Sequence, residues 1–169
     1  GEWLQVLREE GLTARGIDLN AGMVERSREL GLEVEYGDAI AALRAMPPES
    51  LGAVTAFHMV EHIPFGAVVA LFDEALRCLK PGGIVLFETP NPENLIVGAC
   101  NFYYDPTHRN PIPPEALRYV AEVRGFVDAR IHRLHPPAVT PEEGMDSVPE
   151  RVRAAFLSAQ DYSIIARKP

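Results

Sequence analysis

The chain has 169 residues, of which 47% are hydrophobic, 24% are charged and 8% are aromatic. This composition excludes the disordered and fibrous classes and predicts one globular domain over residues 1–169. The two cysteines, Cys78 and Cys100, are too few for a disulfide scaffold, which favours a reducing, cytoplasmic setting. A net charge of −8 argues against broad nucleic-acid binding, and no apolar run approaches the roughly 20 residues of a membrane span. We therefore expect a small molecule or a glycan as the substrate.

Strand-like apolar runs alternate with helical periods through the first half of the chain. Leu4, Val6 and Leu7 lie on one face of an opening helix that Gly11 can end. The predicted elements that follow are a strand at 14–18, a helix from Met23 to Gly31, a strand at 33–36, a helix at 40–46, a continuous buried strand at 51–57, a helix at 65–80 and a strand at 84–88. Such alternation predicts an α/β fold, a parallel sheet with helices on both faces.

The second half of the chain contains a long interruption of this alternation. Residues 89–114 carry six prolines and the aromatic run Phe102, Tyr103 and Tyr104. A loop of this length inside a compact domain is more often functional than accidental, although its aromatics could simply pack it on the sheet. Beyond it the sequence predicts a helix at 115–124, strands at 129–134 and 162–166, a flexible connection at 136–149 and a short helix at 150–157.

Four short motifs follow one another along the chain. They are Gly16-Ile17-Asp18-Leu19-Asn20, Gly37-Asp38-Ala39, Phe57-His58-Met59-Val60-Glu61-His62 and Leu79-Lys80-Pro81-Gly82-Gly83. Their order and spacing resemble the successive motifs of class I S-adenosylmethionine-dependent methyltransferases, over nearly the whole chain. The resemblance implies a Rossmann-like, mostly parallel sheet with an antiparallel last strand, and S-adenosyl-L-methionine as the cofactor.

Two further strings narrow the resemblance. Residues 88–94 and 102–108 resemble the methyltransferase part of bacterial surface-polysaccharide proteins, including the bifunctional methyltransferase/kinases that cap O-antigen chains. In the wider family a strand and a glycine-rich turn precede the first helix, whereas Gly1 looks like the last glycine of that turn. We therefore expect the chain to be a piece of a longer protein, and we expect this piece to lack the first strand.

The resemblance assigns the cofactor to residues at the ends of predicted strands. Asp18 would accept hydrogen bonds from the ribose hydroxyls, although it could instead cap the following helix, as could Asn20. Leu19 and Met23 would border the adenine. Asp38 would accept from the adenine amino group and the Ala39 amide would face a ring nitrogen, with helix capping by Asp38 as the alternative. Gly1 would approach the methionine part, and Phe57 and His58 would flank its sulfonium end.

His58, Glu61 and His62 form an HxxEH cluster that invites comparison with a metal site. On a helix, His58 and His62 would share one face, and His108 could complete a set of ligands. The cluster is also related to the ExxEH of small-RNA 3′-end methyltransferases, which holds a divalent ion, but His58 stands where their first glutamate would be. The interpretation we favour is that Glu61 and His62 order the strand-to-helix turn, so we expect no metal and a function that survives chelation.

The acceptor side is assigned to the insertion at 89–114. His108, His62 and Tyr104 are the candidate catalytic residues, since a histidine with a pKa near neutrality can remove a hydroxyl proton. We expect the insertion to move, with Gly98 and the asparagines acting as hinges.

Three functions are compatible with the predicted α/β fold. The first is methyl transfer to an oxygen of a glycan, a phosphate or a small molecule such as a quinone-type phenol. The second is a non-catalytic, methyltransferase-like interaction module of a larger glycan-assembly protein. A nicotinamide-binding domain, the third, does not explain Asp38-Ala39 or the Pro81-Gly82-Gly83 turn.

Overall fold

The computed structural model describes residues 1–137 and 147–169. The chain divides into two compact units, Gly1–Pro47 and Pro48–Pro169. The prediction of one domain over residues 1–169, with an insertion at 89–114, stays a prediction. Residues 138–146 of the predicted flexible connection lie outside the described residues.

The first unit is a small α/β layer. Its elements are α1 (Glu2–Glu9), β1 (Gly16–Asp18), α2 (Ala21–Glu29), β2 (Val34–Tyr36) and α3 (Ala39–Ala45). β1 and β2 pair in parallel, with Gly16 opposite Val34 and Asp18 opposite Tyr36. Leu4 of α1 packs against a buried cluster formed by Val24, Leu32 and Val34. The predicted helices and strands of this region are confirmed, and both strands end at the same edge of the pair.

The second unit is built on a longer sheet. Its elements are β3 (Leu51–Phe57), the 3₁₀ turn η1 (Val60–His62), α4 (Phe65–Cys78), β4 (Leu79–Pro90), α5 (Leu95–Ala99), the 3₁₀ turn η2 (Asn101–Tyr104), α6 (Pro114–Val123), β5 (Val127–Leu134), α7 (Glu150–Leu157) and β6 (Asp161–Arg167). The strand order is β3-β4-β6-β5, and β6 is antiparallel to both of its neighbours. The prediction of an antiparallel last strand is therefore confirmed.

The core of this unit lies between the sheet and its helices. Phe72 of α4 packs against Phe87 of β4 and against Phe126, with ring centroids 4.9 and 5.8 Å apart. Tyr162 of β6 is fully buried and its hydroxyl donates to the Ile112 carbonyl at 2.8 Å. No described helix is long and apolar enough to cross a membrane.

The prediction that β3 is continuously buried is wrong. Ala56 is its one buried residue, and Phe57 at its end is 38% exposed. The physical reason is position, since β3 is an edge strand of the four-stranded sheet of the described residues. Continuous burial requires a neighbour on each side and cover on both faces.

The boundary between α4 and β4 also differs from the prediction. α4 ends at Cys78, and β4 begins at Leu79, which pairs with Leu51. The Pro81-Gly82-Gly83 turn is thus an irregularity within β4 and does not precede it. A Cβ on Gly83 would lie 2.9 Å from the Gly52 carbonyl oxygen, so this close approach of two backbones requires glycine.

The insertion contains helical segments whose contacts correct the assignment of Gly98 and of two asparagines as hinges, whereas movement of the insertion stays a prediction. It contains α5 and η2, and its Asn91 and Asn94 are fully buried. Their side-chain amides donate to the carbonyls of Ala159 at 2.9 Å and Ser158 at 2.7 Å. A Cβ on Gly98 would lie 2.8 Å from the Pro92 carbonyl oxygen. The glycine therefore permits a close contact, and the asparagines serve as anchors because unpaired buried amides would be costly.

Candidate functional site

Asp18 lies at the carboxyl end of β1 and is exposed. Its Oδ1 accepts from the Asn20 N–H at 2.7 Å, while Asn20 caps α2 by accepting from the Gly22 and Met23 amides. Within residues 1–137 and 147–169, no hydrogen bond reaches the second oxygen of Asp18. The alternative role of Asp18 as the α2 cap is therefore excluded, and one carboxylate oxygen is available to a hydroxyl-bearing ligand.

Two apolar side chains that follow Asp18 are exposed. Leu19 is 62% exposed and Met23 is 59% exposed. Apolar surface in water is costly, at about 25 cal/mol per Å². A carboxylate beside exposed apolar side chains suits a ligand that combines hydroxyls with a flat apolar ring, as adenosine does.

Asp38 and Ala39 begin α3 at the end of β2. The Asp38 Oδ1 accepts from the Ala41 N–H at 2.7 Å, so Asp38 is the N-cap of α3. Ala39 is the first residue of this helix, and its N–H has no acceptor within the helix because first-turn amides lack one. Helix capping by Asp38 is thus confirmed, and its exposed side chain leaves the second oxygen accessible.

Gly1 is the N-cap residue of α1. A Cβ at this position would lie 2.6 Å from the Leu32 side chain and 2.9 Å from the Ser27 hydroxyl. Only glycine therefore fits without rearranging the packing of α1. A shallow depression of about 390 Å³ lies elsewhere in this unit, lined by residues of α2 and by Tyr36, and includes neither Asp18 nor Asp38.

In the second unit, His58 follows the end of β3 and has a left-handed backbone, with φ of 48°. Its Nδ1 lies 3.2 Å from Glu61 Oε1, and its Nε2 lies 3.8 Å from Glu88 and 4.0 Å from Asp161. The hydrogen bond to Glu61 is the largest of the effects that raise the pKa of His58, against the opposing effect of burial. One imidazole thus faces three carboxylates, which leaves this end of the sheet electronegative. Phe57 precedes it at the last position of β3.

Glu61 lies in η1 and is fully buried. Burial by itself would raise the pKa of this carboxyl, but hydrogen bonds from His58, from the backbone and from Thr89 outweigh burial, and the pKa lies below its ordinary value. The Thr89 hydroxyl donates to Oε2 at 2.8 Å. Glu61 is therefore a buried carboxylate with a partner on each oxygen.

His62 and His108 meet beside Glu61, with ring centroids 4.6 Å apart. The Thr107 hydroxyl donates to Asp105 at 2.6 Å, so it accepts from His62 Nδ1 at 2.9 Å. His108 Nδ1 donates to the Phe102 carbonyl at 2.6 Å. When Nδ1 of a neutral imidazole carries the proton, Nε2 is an acceptor. In the neutral form, each of these half-buried histidines therefore has Nε2 as its acceptor.

Arg109 joins the insertion to η1. Its backbone N–H donates to the Glu61 carbonyl at 2.8 Å, and its Nε donates to the His62 carbonyl at 3.0 Å. These bonds hold His108 beside His62, although the two residues are far apart in the chain.

Tyr104 lies at the end of η2 and is 75% exposed. Its hydroxyl accepts from the Cys100 thiol at 3.4 Å, and this hydrogen bond is the main reason that its pKa lies above the ordinary value. Tyr104 therefore stays a neutral phenol near pH 7. The structure joins His62 with His108 but gives no contact of either with Tyr104.

Sequence reasoning missed the groups that orient these side chains. Thr89 on Glu61, Thr107 and Asp105 on His62, and Glu88 and Asp161 near His58 all come from other parts of the chain. The position of the Thr107 hydroxyl could have been predicted from the Asp105-Pro106-Thr107 sequence, because an Asp two residues before a Thr forms a turn that fixes the Thr hydroxyl. The position of Asp161 near His58 could not be predicted without knowing that β6 pairs with β4.

Comparison with known proteins identifies the family. The chain matches the family described as "Methyltransferase domain" over residues 1–131. It belongs to this methyltransferase family. A ubiquinone biosynthesis O-methyltransferase from Ralstonia nicotianae is 38% identical to this methyltransferase domain over 173 residues, covering 94% of the chain and 68% of the relative.

Other relatives match over a shorter span. The ubiquinone biosynthesis O-methyltransferases of Stutzerimonas stutzeri and Paraburkholderia xenovorans are 35% and 40% identical, over 52% and 48% of the chain. The chain spans only 39% and 36% of the lengths of these two relatives. Their names indicate small-molecule O-methylation and give no support to polysaccharide biosynthesis.

Solved structures confirm the predicted Rossmann-like α/β fold. A SAM-dependent methyltransferase from Archaeoglobus fulgidus superposes with a TM-score of 0.86 at 30% identity, over 99% of the methyltransferase domain and 81% of that chain. A phosphoethanolamine N-methyltransferase from Haemonchus contortus, solved with S-adenosyl-L-methionine, has a TM-score of 0.64 at 20% identity, over 98% of the domain and 45% of that chain, and shares the fold alone.

Proposed function

We propose that this methyltransferase domain transfers a methyl group from S-adenosyl-L-methionine to an oxygen of a small hydroxylated molecule, such as a phenol of the quinone type. The observation that carries the proposal is the match to the Ralstonia O-methyltransferase along 94% of the chain. The exposed Asp18 carboxylate beside the exposed Leu19 and Met23 side chains supports the cofactor assignment. The Nε2 atoms of His62 and His108 support oxygen as the methyl acceptor, because each can take a proton from a hydroxyl.

In this proposal the first unit binds the adenosine part of the cofactor. The free oxygen of Asp18 accepts from the ribose hydroxyls, Leu19 and Met23 cover the adenine, and Asp38 and the Ala39 N–H pair with its edge. Such charge-assisted hydrogen bonds are worth about 1.5–3 kcal/mol each. Gly1 allows close packing of α1 where the methionine part approaches.

The second unit carries the residues proposed for the reacting end. Phe57 and His58 flank the sulfonium, whose positive charge suits the three carboxylates around His58. S-adenosyl-L-methionine supplies an already activated methyl group. The protein contributes position and proton transfer. The acceptor hydroxyl gives up its proton to Nε2 of His62 or His108 as its oxygen takes the methyl, and the S–CH₃ bond breaks to leave the neutral thioether S-adenosylhomocysteine.

The test is transfer of a labelled methyl group to a panel of acceptors. We expect a phenol with two neighbouring hydroxyls to be methylated, and a bacterial glycan or sugar phosphate to remain unlabelled. The matched control is Asp18→Ala, which removes the ribose contact and lowers transfer at limiting cofactor. Labelling of the glycan alone would support the narrower polysaccharide interpretation, and S-adenosyl-L-methionine binding without any transfer would support a non-catalytic module.

A further inference from the structure

The guanidinium of Arg109 lies beside the candidate catalytic histidines, and the fold uses only part of it. The side chain is exposed, and its Nε donates to the His62 carbonyl at 3.0 Å. Among residues 1–137 and 147–169, no carboxylate lies within ion-pair distance of this guanidinium and no group accepts from its two Nη atoms. One nitrogen of the guanidinium is therefore fixed, and two others are available to a ligand.

A nearby arginine of the same unit has a carboxylate partner. Arg133 of β5 donates to both oxygens of Glu93, at 2.8 and 3.1 Å. The acid that is nearest to Arg109 in the chain, Asp105, accepts instead from the N–H and the hydroxyl of Thr107. A chain with a net charge of −8 thus holds a positioned cation whose counter-ion is not among the described residues.

We infer that Arg109 recognises an anionic oxygen group, a carboxylate or a phosphate-type group, on the methyl acceptor. A guanidinium is planar and always charged, and two of its N–H groups match two oxygens of such an anion. Because Nε is already bonded to the His62 carbonyl, the side chain loses little further freedom when the anion binds. The inference deepens the proposed function and rests on it, since the acceptor becomes a hydroxylated acid.

The surrounding charges favour one orientation of such an acceptor. The guanidinium is anchored on the backbone of His62, so the cation and the proposed base lie within the span of one small molecule. At the end of β3, by contrast, Glu88 and Asp161 lie near His58 and would repel an anionic group. The acceptor therefore binds with its acid group at Arg109 and its hydroxyl near the His62 imidazole.

The experiment gives the full chain three acceptors that share one ring and two neighbouring hydroxyls. Catechol is neutral, protocatechuate adds a carboxylate, and the third acceptor carries a phosphonate in place of that carboxylate. The measured quantity is the ratio of kcat/KM for each acid to kcat/KM for catechol. We expect a ratio of about ten or more for at least one acid, mainly through a lower KM. The two acids show which anion the site takes.

Two substitutions of Arg109 separate its charge from its shape. Arg109→Gln should bring the ratio close to one, and Arg109→Lys, which keeps the charge but loses the planar group, should give an intermediate ratio. Both variants lose the bond to the His62 carbonyl, but any harm to that histidine affects all three acceptors and cancels in the ratio. The matched control is Arg130→Gln, which removes an exposed arginine of β5 and should keep the original ratio.

Calorimetry measures the binding of the same three acceptors and requires no methyl transfer. The inference is overturned if the unchanged chain binds neither acid, if it uses the three acceptors equally, or if Arg109→Gln leaves the preference intact. An acid preference in binding that depends on Arg109, without methylation of any acceptor, would contradict only the proposed function. Methylation of catechol without a preference for either acid would contradict only this inference.

Discussion

The carboxylates at the strand ends differ between the two units. Asp18 and Asp38 are exposed, and each gives one oxygen to a backbone amide within three residues. Glu61, in the η1 turn after β3, is fully buried, and its oxygens accept from His58, three residues away, and from Thr89 of β4. The first two can serve a ligand at little cost to folding. Glu61 belongs to the fold and to the candidate site together, so any change there acts on both.

The largest expected effect is on stability at Glu61. Glu61→Ala leaves the buried Thr89 hydroxyl without its acceptor and removes the hydrogen bond to His58, so we expect the free energy of unfolding to fall by about 2–4 kcal/mol. Urea denaturation measures the change. Glu115→Ala, which removes an exposed ion pair on α6, should cost less than about 1 kcal/mol. Equal losses for the two variants would contradict the contrast between buried and exposed carboxylates.

The next effect concerns turnover in the second unit. His108→Ala should lower the turnover number by about a hundredfold, the lower range for loss of proton transfer, and leave the affinity for S-adenosyl-L-methionine nearly unchanged. Tyr104→Phe should lower turnover as well, if its exposed phenol contacts the acceptor. Tyr119→Phe, on the exposed face of α6, is the control. If the variants lose cofactor affinity together with turnover, the insertion has a structural role and the acceptor site lies elsewhere.

A smaller effect is expected from the exposed carboxylate of the first unit. Asp18→Ala should weaken S-adenosyl-L-methionine binding by tenfold or more, since about 1.4 kcal/mol of lost bonding corresponds to a factor of ten. Calorimetry measures the affinity. The control Glu33→Ala removes an exposed carboxylate that precedes β2, and it should bind as the unchanged protein does. Equal affinity of Asp18→Ala and Glu33→Ala would rule out the ribose assignment.

The smallest effect separates the two roles of Asp38. Asp38→Ala removes the α3 cap and should cost about 1 kcal/mol of stability, whereas Asp38→Asn keeps the cap and should be nearly neutral. If Asp38 also binds the adenine amino group, Asp38→Asn should still lower cofactor affinity, because it replaces one acceptor oxygen with a donor. Thermal unfolding and calorimetry on the same pair measure the two effects. Unchanged stability of Asp38→Ala would contradict the capping role.

Local patterns were sufficient wherever neighbouring residues determine the structure. The capping of α2 by Asn20, the end of α1 near Gly11 and the positions of β1, β2 and β6 depend on residues that are close in the chain. The start of β4 escaped prediction because Leu79 pairs with Leu51, and the Gly83 contact with Gly52 sets the path between them. The anchoring role of Asn91 and Asn94 was not predicted for the same reason, since their partners are more than sixty residues away in the chain.

The sequence by itself determined the family, the α/β order and the identity of the candidate residues, because each depends on residue types at short spacings. The tertiary structure decided which of those residues act together. It separated His58 from the other histidines, since the η1 turn begins only at Val60, and it brought His108 beside His62 through Arg109. Tautomers, burial and pKa values followed from these contacts, because they depend on partners that only folding brings within hydrogen-bonding distance.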